Sequence, residues 1–245
     1  MNVTIINQPK VVPYKTGYQI AKRAMDLILC LLILPIALPV IAICALAIYL
    51  DSSGPAFFVQ ERIGKGGRRF WIYKFRTMQY NVDDSHHRTF MKAFVRGQIG
   101  SRQDVNSYSR AFVKAFVNKP APSNTHQEVY KPFQASQVTR VGRILRKTSL
   151  DELPQIINVL KGEMSLVGPR PNVPWEVEEY QGWHHERLEA LPGITGLAQV
   201  RGRSSINFDS IVDYDIEYVE NRSLVLDLKI LWWTLTAVLD AKGSK

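Results

Sequence analysis

The hydrophobic pattern of the chain is dominated by one uncharged stretch near its N-terminus. Positions 27–50 are 24 consecutive residues without a charged side chain, bounded by Asp26 and Asp51. A helix of this length measures about 36 Å, more than the roughly 30 Å of a bilayer's hydrocarbon core. The stretch is too long for a cleavable signal peptide, and no small-residue cleavage site follows it. The pattern therefore predicts a helix that is embedded in a membrane.

Two prolines inside this stretch, Pro35 and Pro39, predict that the helix bends or breaks near its middle. Each proline removes a backbone donor and crowds the carbonyl four residues earlier. Lys and Arg flank both ends of the stretch, and positive residues prefer the cytoplasmic side of a membrane. We favour a re-entrant helix that returns to the face it entered. A kinked helix that crosses once is the alternative, because prolines also occur in spanning helices.

Short aromatic patterns follow the apolar stretch. Residues 57–59 and 70–73 are aromatic and β-branched runs on either side of the glycine-rich segment 62–67, which predicts a β-hairpin. No Gly-Lys-Ser/Thr ending supports a phosphate loop in that segment. Farther on, the pairs Phe90/Phe94 and Phe112/Phe116 stand at four-residue spacing among Lys and Arg. They predict short basic amphipathic helices that either lie on a membrane or cover the core.

A second apolar run occupies positions 224–239 near the C-terminus. Its uninterrupted part, 230–239, is too short to span a bilayer. Trp232 and Trp233 within it favour an interfacial helix at the level of the lipid headgroups. A buried core helix is the alternative. The elements together predict an α+β fold that is mostly helical.

Charge narrows the choice of partners more than composition does. Apolar residues make up 46% and charged residues 22% of the chain, which is ordinary globular usage and excludes a wholly disordered or disulfide-scaffold protein. The 31 Lys and Arg outnumber the 22 Asp and Glu and give a formal net charge of +9. This excess favours anionic partners such as phosphates, nucleic acid or acidic lipid. Cys30 and Cys44 both lie in the apolar stretch and are interpreted as small hydrophobic side chains.

Two adjacent carboxylates, Asp151 and Glu152, precede an apolar helical pattern. Ser149 and Glu152 fit a capping box, whereas Pro154 favours a helix that starts near Asp151. At a helix N-terminus the positive end of the dipole would keep Asp151 ionised and able to act as a nucleophile. The alternative is that Asp151 is only a helix cap and Glu152 a solvated acid.

Cations surround this carboxylate pair. Arg170 lies between two prolines, and its stiff backbone would pre-position the guanidinium for a bidentate grip on phosphate. Carboxylates among cations suggest phosphate chemistry, in which a metal or Arg offsets charge. The histidines and cysteines do not have the spacing of a zinc site. The cations upstream of the pair are Arg140, Arg143, Arg146 and Lys147.

Six motifs in one order carry a resemblance to a known family. They are residues 22–26 (KRAMD), 73–78 (YKFRTM), 149–155 (SLDELPQ), 158–162 (NVLKG), 165–171 (SLVGPRP) and 192–196 (PGITG). Through them the chain closely resembles the bacterial sugar transferase family, the monotopic phosphoglycosyl transferases. The resemblance covers roughly residues 20–80 and 138–240.

This resemblance implies an enzyme that moves a sugar-1-phosphate from a nucleotide sugar, expected to be a UDP-sugar, to a polyprenyl phosphate such as undecaprenyl phosphate. UMP is the expected product and Mg²⁺ the expected cofactor. Asp151 would be the nucleophile that carries the phosphosugar, and Glu152 would assist in metal binding or acid–base work, so both are candidate metal ligands. The expected substrate-binding residues are Lys74, Arg146, Arg170 and Arg203.

The resemblance also implies how the chain is organised. A tail (1–20) would precede the re-entrant membrane helix (21–51), and a cytoplasmic catalytic domain (52–245) would carry a variable insertion at about 81–137 and interfacial amphipathic helices. The protein is expected at the cytoplasmic face of the bacterial inner membrane, in the first membrane step of exopolysaccharide or glycoconjugate synthesis. No nucleic-acid partner is expected, and a homodimer is left open. The alternative function is a non-catalytic, membrane-anchored protein that binds acidic lipid or other polyanions.

Overall fold

The computed structural model describes residues 16–80, 85–98, 137–201 and 206–239. Helices account for most of these residues, and the strands form two small two-stranded sheets, so the mostly helical α+β fold is confirmed. The helices are α1 (Thr16–Asp51), α2 (Ser85–Val95), α3 (Arg140–Thr148), α4 (Ile156–Lys161), α5 (Pro174–Val177), α6 (Leu197–Arg201), α7 (Phe208–Asn221) and α8 (Leu224–Leu239). The strands are β1 (Phe57–Ile63), β2 (Arg69–Phe75), β3 (Ser165–Val167) and β4 (Gly193–Thr195). Short 3₁₀ helices cover Lys65–Gly67, Leu150–Gln155 and Gly182–Glu189.

Helix α1 stays helical through both of its prolines. Pro35 and Pro39 lie inside one uninterrupted helix, so the chain does not break into two helices at these positions. The reason is that the proline ring fixes φ near −65°, which is a helical value. By length and composition, α1 is the one helix among the described residues that could cross a membrane. Most of its apolar side chains are exposed.

Both ends of α1 are attached to the rest of the protein. Near the start, the Asp26 carboxylate is buried and accepts a hydrogen bond from Ser165 Oγ of β3 at 2.7 Å. At the other end, Asp51 Oδ2 accepts a hydrogen bond from Val141 N at the start of α3, at 3.0 Å. Helix α3 in turn packs against the 3₁₀ helix Leu150–Gln155 and leads through it into the core. One folded unit therefore holds both ends of α1.

Strands β1 and β2 form an antiparallel hairpin in which Phe57 pairs with Phe75. This confirms the hairpin that the sequence predicts. The turn contains the 3₁₀ helix Lys65–Gly67, in which Gly66 and Gly67 have φ values of 64° and 77°. Glycine is required here because side chains with a Cβ rarely adopt positive φ.

The outer edge of β2 is covered by one side chain of α4. Asn158 Oδ1 accepts a hydrogen bond from Tyr73 N at 3.2 Å, and Asn158 Nδ2 donates to Trp71 O at 2.7 Å. The amide thus satisfies the strand edge as a neighbouring strand would. This contact fixes β2 against the segment that carries the carboxylate pair.

Strands β3 and β4 form a short parallel pair that the sequence analysis missed. Ser165 lies opposite Gly193, and the loops beyond the strands pass very close to each other. A Cβ at Gly168 would lie 2.2 Å from Leu191 O, and a Cβ at Gly193 would lie 2.1 Å from Gly168 N. Glycine is needed at both positions because no side chain fits between these backbones.

Helix α2 is the described part of the segment predicted to form basic amphipathic helices. Phe94 is buried and packs edge-on against Phe208 of α7, with ring centroids 5.9 Å apart. Helix α2 therefore covers the core. The pair Phe112/Phe116 lies outside the described residues.

Helix α8 is buried on one face and exposed on the other. Asp227 and Ile230 are completely buried, and Asp227 Oδ1 accepts a hydrogen bond from Tyr218 OH at 2.7 Å. The opposite face is apolar and open, so a wholly buried core helix is the wrong description. Its exposed large side chains are Val225, Leu228, Trp232, Trp233, Leu235 and Val238.

Candidate active site

Asp151 and Glu152 lie on the 3₁₀ helix Leu150–Gln155, and the α-helix begins only at Ile156. Ser149 joins α3 to this 3₁₀ helix in a left-handed conformation, with φ of 57° and no side-chain capping hydrogen bond. The capping box between Ser149 and Glu152 therefore does not form. The physical reason is that the Glu152 side chain bonds to cations across the pocket. The helix start near Asp151, which Pro154 favours, is met by the 3₁₀ helix that begins at Leu150.

Glu152 is the centre of an ion cluster built from three chain segments. Its Oε1 accepts hydrogen bonds from Lys74 Nζ of β2 at 2.8 Å and from Arg170 Nη1, beyond β3, at 3.2 Å. The Glu152 and Lys74 side chains are 19% and 14% exposed. Burial acts to raise the pKa of Glu152, but Arg170 and Lys74 outweigh this effect and lower the pKa to about 2. Glu152 is therefore ionised at neutral pH.

Asp151 has a different environment from its neighbour. Among the described residues its carboxylate has no hydrogen-bond or ion-pair partner. Burial raises the pKa of Asp151 and the charge of Glu152 raises it further, against the opposing charges of Lys74, Arg170 and Arg146. This direction is opposite to the one expected from a helix dipole, because desolvation and a like charge act more strongly here.

Arg146 lies on α3 and its charge acts on Asp151. Arg146 Nε donates a hydrogen bond to Thr77 Oγ1 at 2.8 Å. Helix α3 can lie this near the segment after β2 because Gly142 has no side chain: a Cβ there would lie 2.2 Å from Thr77 O. Burial lowers the pKa of the Arg146 guanidinium.

Two arginines that the sequence did not reveal, the buried Arg187 and the half-buried Arg62, hold the backbone around Arg170. Arg187 Nη2 donates hydrogen bonds to Arg170 O at 3.1 Å and to the buried Asp215 Oδ2 at 2.5 Å. Arg62 Nη1 donates to Pro171 O at 3.1 Å. No local sequence pattern identifies these contacts, because each joins residues that are far apart along the chain. These hydrogen bonds hold the backbone at Arg170 and Pro171 in place.

A pocket opens in front of this ion cluster. Its walls are cationic and acidic, and its apolar surface comes from isoleucine and proline side chains. Gln155, the last residue of the 3₁₀ helix, also reaches the pocket, a role that the sequence analysis did not assign. The lining residues are Arg62, Ile72, Lys74, Glu152, Gln155, Arg170, Pro171, Gly193 and Ile194.

The predicted site residues are brought together in part. Lys74 and Arg170 both contact Glu152, and the charges of Asp151 and Arg146 act on each other. Arg203 lies outside the described residues.

The metal-binding capacity of the site depends on its two carboxylates. No group of three or more His, Cys, Asp and Glu residues within the described ranges could hold a metal ion. Magnesium, however, is commonly bound by one or two carboxylates together with substrate phosphates. Asp151 fits that role, since no described residue pairs with its carboxylate and a cation beside it would offset the charge of Glu152. Glu152 fits less well because Oε1 is already engaged by two cations.

The long apolar helix and the cationic pocket together are typical of a membrane-associated protein that binds phosphate groups. A family model described as bacterial sugar transferase matches residues 17–241 of the chain. The chain therefore belongs to the bacterial sugar transferase family.

Named relatives agree with this assignment. The exopolysaccharide production protein ExoY of Sinorhizobium fredii is 34% identical over 95% of this chain and 94% of its own length. The undecaprenyl-phosphate galactose phosphotransferase of Salmonella typhimurium is 36% identical over 94% of this chain but only 43% of its own. The UDP-glucose:undecaprenyl-phosphate glucose-1-phosphate transferase of Caulobacter vibrioides is 36% identical over 94% of this chain and 74% of its own. The chain thus spans less than half of some relatives and nearly all of others.

Proposed function

We propose that the protein transfers a sugar-1-phosphate from a UDP-sugar to undecaprenyl phosphate and releases UMP, as the first membrane step of exopolysaccharide synthesis. The observation that carries this proposal is the Asp151 carboxylate, which has no partner within the described segments and lies beside the cluster of Glu152, Lys74 and Arg170. The names of the Salmonella and Caulobacter relatives, a galactose phosphotransferase and a glucose-1-phosphate transferase, support the same reaction class.

The reaction is proposed to proceed in two displacements at phosphorus. An Asp151 carboxylate oxygen attacks the β-phosphorus of the donor, and the bond from that phosphorus to the bridging oxygen breaks, so UMP leaves. A phosphate oxygen of the lipid then attacks the same phosphorus, which frees Asp151 and forms the lipid diphosphate sugar. A desolvated carboxylate with a raised pKa is more basic than a solvated aspartate, which favours this nucleophilic role.

The cations are proposed to bind the phosphates of donor and acceptor. Lys74 and Arg170 are held at the pocket by Glu152, and Arg146 contributes a positive charge beside Asp151. Such preorganised charges stabilise the charge that develops on a transferring phosphoryl group. The pKa of Glu152, about 2, favours a role in holding these cations over a role in proton transfer at neutral pH.

Magnesium is proposed to bind at Asp151 together with the diphosphate of the donor. When bound, Mg²⁺ supplies charge neutralisation to the phosphoryl oxygens. This chain's own residues orient the donor and supply the nucleophile.

The location is proposed to be the cytoplasmic face of the bacterial inner membrane, with α1 as a re-entrant helix. Contacts of Asp26 with β3 and of Asp51 with α3 support this geometry, because one folded unit cannot lie on both sides of a bilayer. The exposed Trp232 and Trp233 of α8 support an interfacial position for that helix. A phosphate-headed lipid and a soluble sugar nucleotide could then meet at the same site.

The experiment that tests the function is UMP release by purified protein in detergent with Mg²⁺, undecaprenyl phosphate and a panel of UDP-sugars. We expect release that requires the lipid and is abolished in Asp151→Asn. Glu220→Gln, which changes an exposed acid that does not line the pocket, should retain activity. Release that is unaffected by Asp151→Asn would refute the proposed nucleophile. Binding of acidic lipid without turnover of any donor would support the non-catalytic alternative.

A further inference from the structure

Two buried hydrogen-bond donors in the pocket have no partner among the described residues. Gln155 is only 2% exposed, and its Nε2 is buried and unpaired. The Nε of Arg62 is likewise buried and unpaired, although its Nη atoms bond to Pro171 O and to Gln60 Oε1. Both residues line the same pocket.

Unpaired donors of this kind point to a ligand oxygen. Buried polar groups in folded proteins nearly always have a hydrogen-bond partner. Gln155 follows Glu152 by three residues on a 3₁₀ helix, where side chains at that spacing share one face. The amide of Gln155 therefore lies on the pocket side of the helix, next to the ion cluster and still within the same pocket.

The Gln155 side chain differs in charge from the phosphate-binding cations. The Gln155 amide is neutral, and the Nη atoms of Arg62 already donate to neutral oxygens. Apolar surface from Ile72 and Ile194 completes this part of the pocket. The neutral Gln155 amide beside apolar surface suits a sugar ring, whose hydroxyl oxygens accept hydrogen bonds and whose C–H groups pack on aliphatic side chains. Arg62 is a cation, but the oxygens it already binds are neutral, and its Nε can donate to a sugar oxygen in the same way.

We infer that Gln155 Nε2 and Arg62 Nε form the sugar-recognising subsite of the donor, in which each donates a hydrogen bond to a neutral oxygen of the hexose. This inference rests on the proposed function and names the part of the donor that these residues bind. A site built to hydrogen-bond a substrate hydroxyl discriminates strongly against an analogue that lacks it, because the buried donor is then left unpaired. Gln155 and Arg62 are thus specificity-determining residues.

The test measures kcat/KM of Gln155→Met and of wild-type protein for UDP-glucose, UDP-galactose and UDP-N-acetylgalactosamine. It includes analogues of each donor in which one sugar hydroxyl or the acetamido group is replaced by hydrogen. Methionine has nearly the length of glutamine but no donor. We expect kcat/KM for the best natural donor to fall about 10- to 100-fold, because one buried hydrogen bond between neutral groups is lost. For the analogue that lacks the contacted oxygen, the two proteins should differ less than about 3-fold. The matched control is Gln98→Met, at an exposed residue away from the pocket lining.

Binding measurements separate the sugar from the phosphates as the group that is recognised. Titrations of UMP and of UDP-sugars use the Asp151→Asn background, so the donor is not consumed. We expect Gln155→Met to weaken UDP-sugar binding and to leave UMP binding unchanged, with a melting temperature near that of the parent. The inference would be overturned if Gln155→Met weakened UMP binding as much as UDP-sugar binding. It would also be overturned if the loss of kcat/KM were the same for every sugar analogue, or if the variant kept the sugar preference of the wild type. If wild-type protein turns over no donor, the proposed function fails, and these titrations still decide whether Gln155 contacts the sugar.

Discussion

Glu152→Gln provides a direct test of the electrostatics of the site. The substitution keeps the size of the side chain and an oxygen that can accept from Lys74 and Arg170, but it removes the negative charge between them. At neutral pH it leaves two cations in contact with a neutral amide. The variant should therefore be less stable than wild-type protein, and the difference should depend on pH.

The magnitude follows from the pKa of Glu152, which falls from an ordinary value of 4.5 to about 2. This shift of about 2.5 units corresponds to about 3 kcal/mol of stabilisation at neutral pH, at about 1.4 kcal/mol per unit. Because the folded-state pKa is the lower one, the stabilisation is complete above pH 4.5 and is lost as the pH falls toward 2. The contribution of Asp151 to stability has the opposite sign. Because its pKa is raised, its ionised form destabilises the fold at pH values above its ordinary titration range.

The assay is thermal unfolding followed by tryptophan fluorescence in detergent, between pH 7 and pH 3.5. A loss of about 3 kcal/mol lowers the melting temperature by roughly 6–12 °C for a protein of this size. We expect that difference at pH 7 and a clearly smaller one at pH 3.5. Glu220→Gln should melt like the wild type at both pH values, because Glu220 is exposed. A difference that is absent at pH 7, or that does not shrink in acid, would refute the reasoning.

Three further predictions concern packing, positioning and topology. Gly142→Ala would place a Cβ 2.2 Å from Thr77 O, so we expect the free energy of unfolding to fall by about 1–3 kcal/mol, measured by thermal unfolding. In Gly17→Ala the added Cβ meets nothing within 4 Å, so this control should melt no lower than the wild type. Arg187→Met leaves the buried Asp215 without its partner and should lower the free energy of unfolding by about 3–5 kcal/mol. Adding Asp215→Leu should restore much of the melting temperature. It should not restore UMP release, because Arg170 O still lacks its hydrogen bond from Arg187. Epitope tags placed at the two termini should both be inaccessible to antibody in intact cells, and a labelled N-terminal tag with a protected C-terminal tag would show a single crossing.

The sequence predicts those features whose cause is local. An uninterrupted apolar run identifies α1, and two aromatic runs around a glycine turn identify the β1–β2 hairpin. Lys74, Glu152 and Arg170 were each assigned through motifs, and the structure brings them into contact.

Features that depend on distant partners could not be predicted in the same way. The capping box does not form because Glu152 bonds to Lys74, 78 positions earlier in the chain, and nothing near Glu152 reveals that partner. Arg187 donates a hydrogen bond to the backbone oxygen of Arg170. Because the acceptor is a backbone atom, the sequence around Arg170 does not indicate this contact. The parallel pairing of β3 with β4 likewise brings together segments that are separated in sequence, and only the glycines at their close approach hint at it.

The central claim is that Asp151 carries the phosphosugar covalently, and trapping this adduct tests it most directly. The protein is incubated with Mg²⁺ and a UDP-sugar that is radiolabelled in the sugar, without lipid acceptor, and then denatured and digested for mass spectrometry. We predict label on the peptide that contains Asp151, loss of that label when undecaprenyl phosphate is added before denaturation, and no label in Asp151→Asn. Lipid-dependent UMP release by an enzyme that never acquires label, or label retained in Asp151→Asn, would contradict the account.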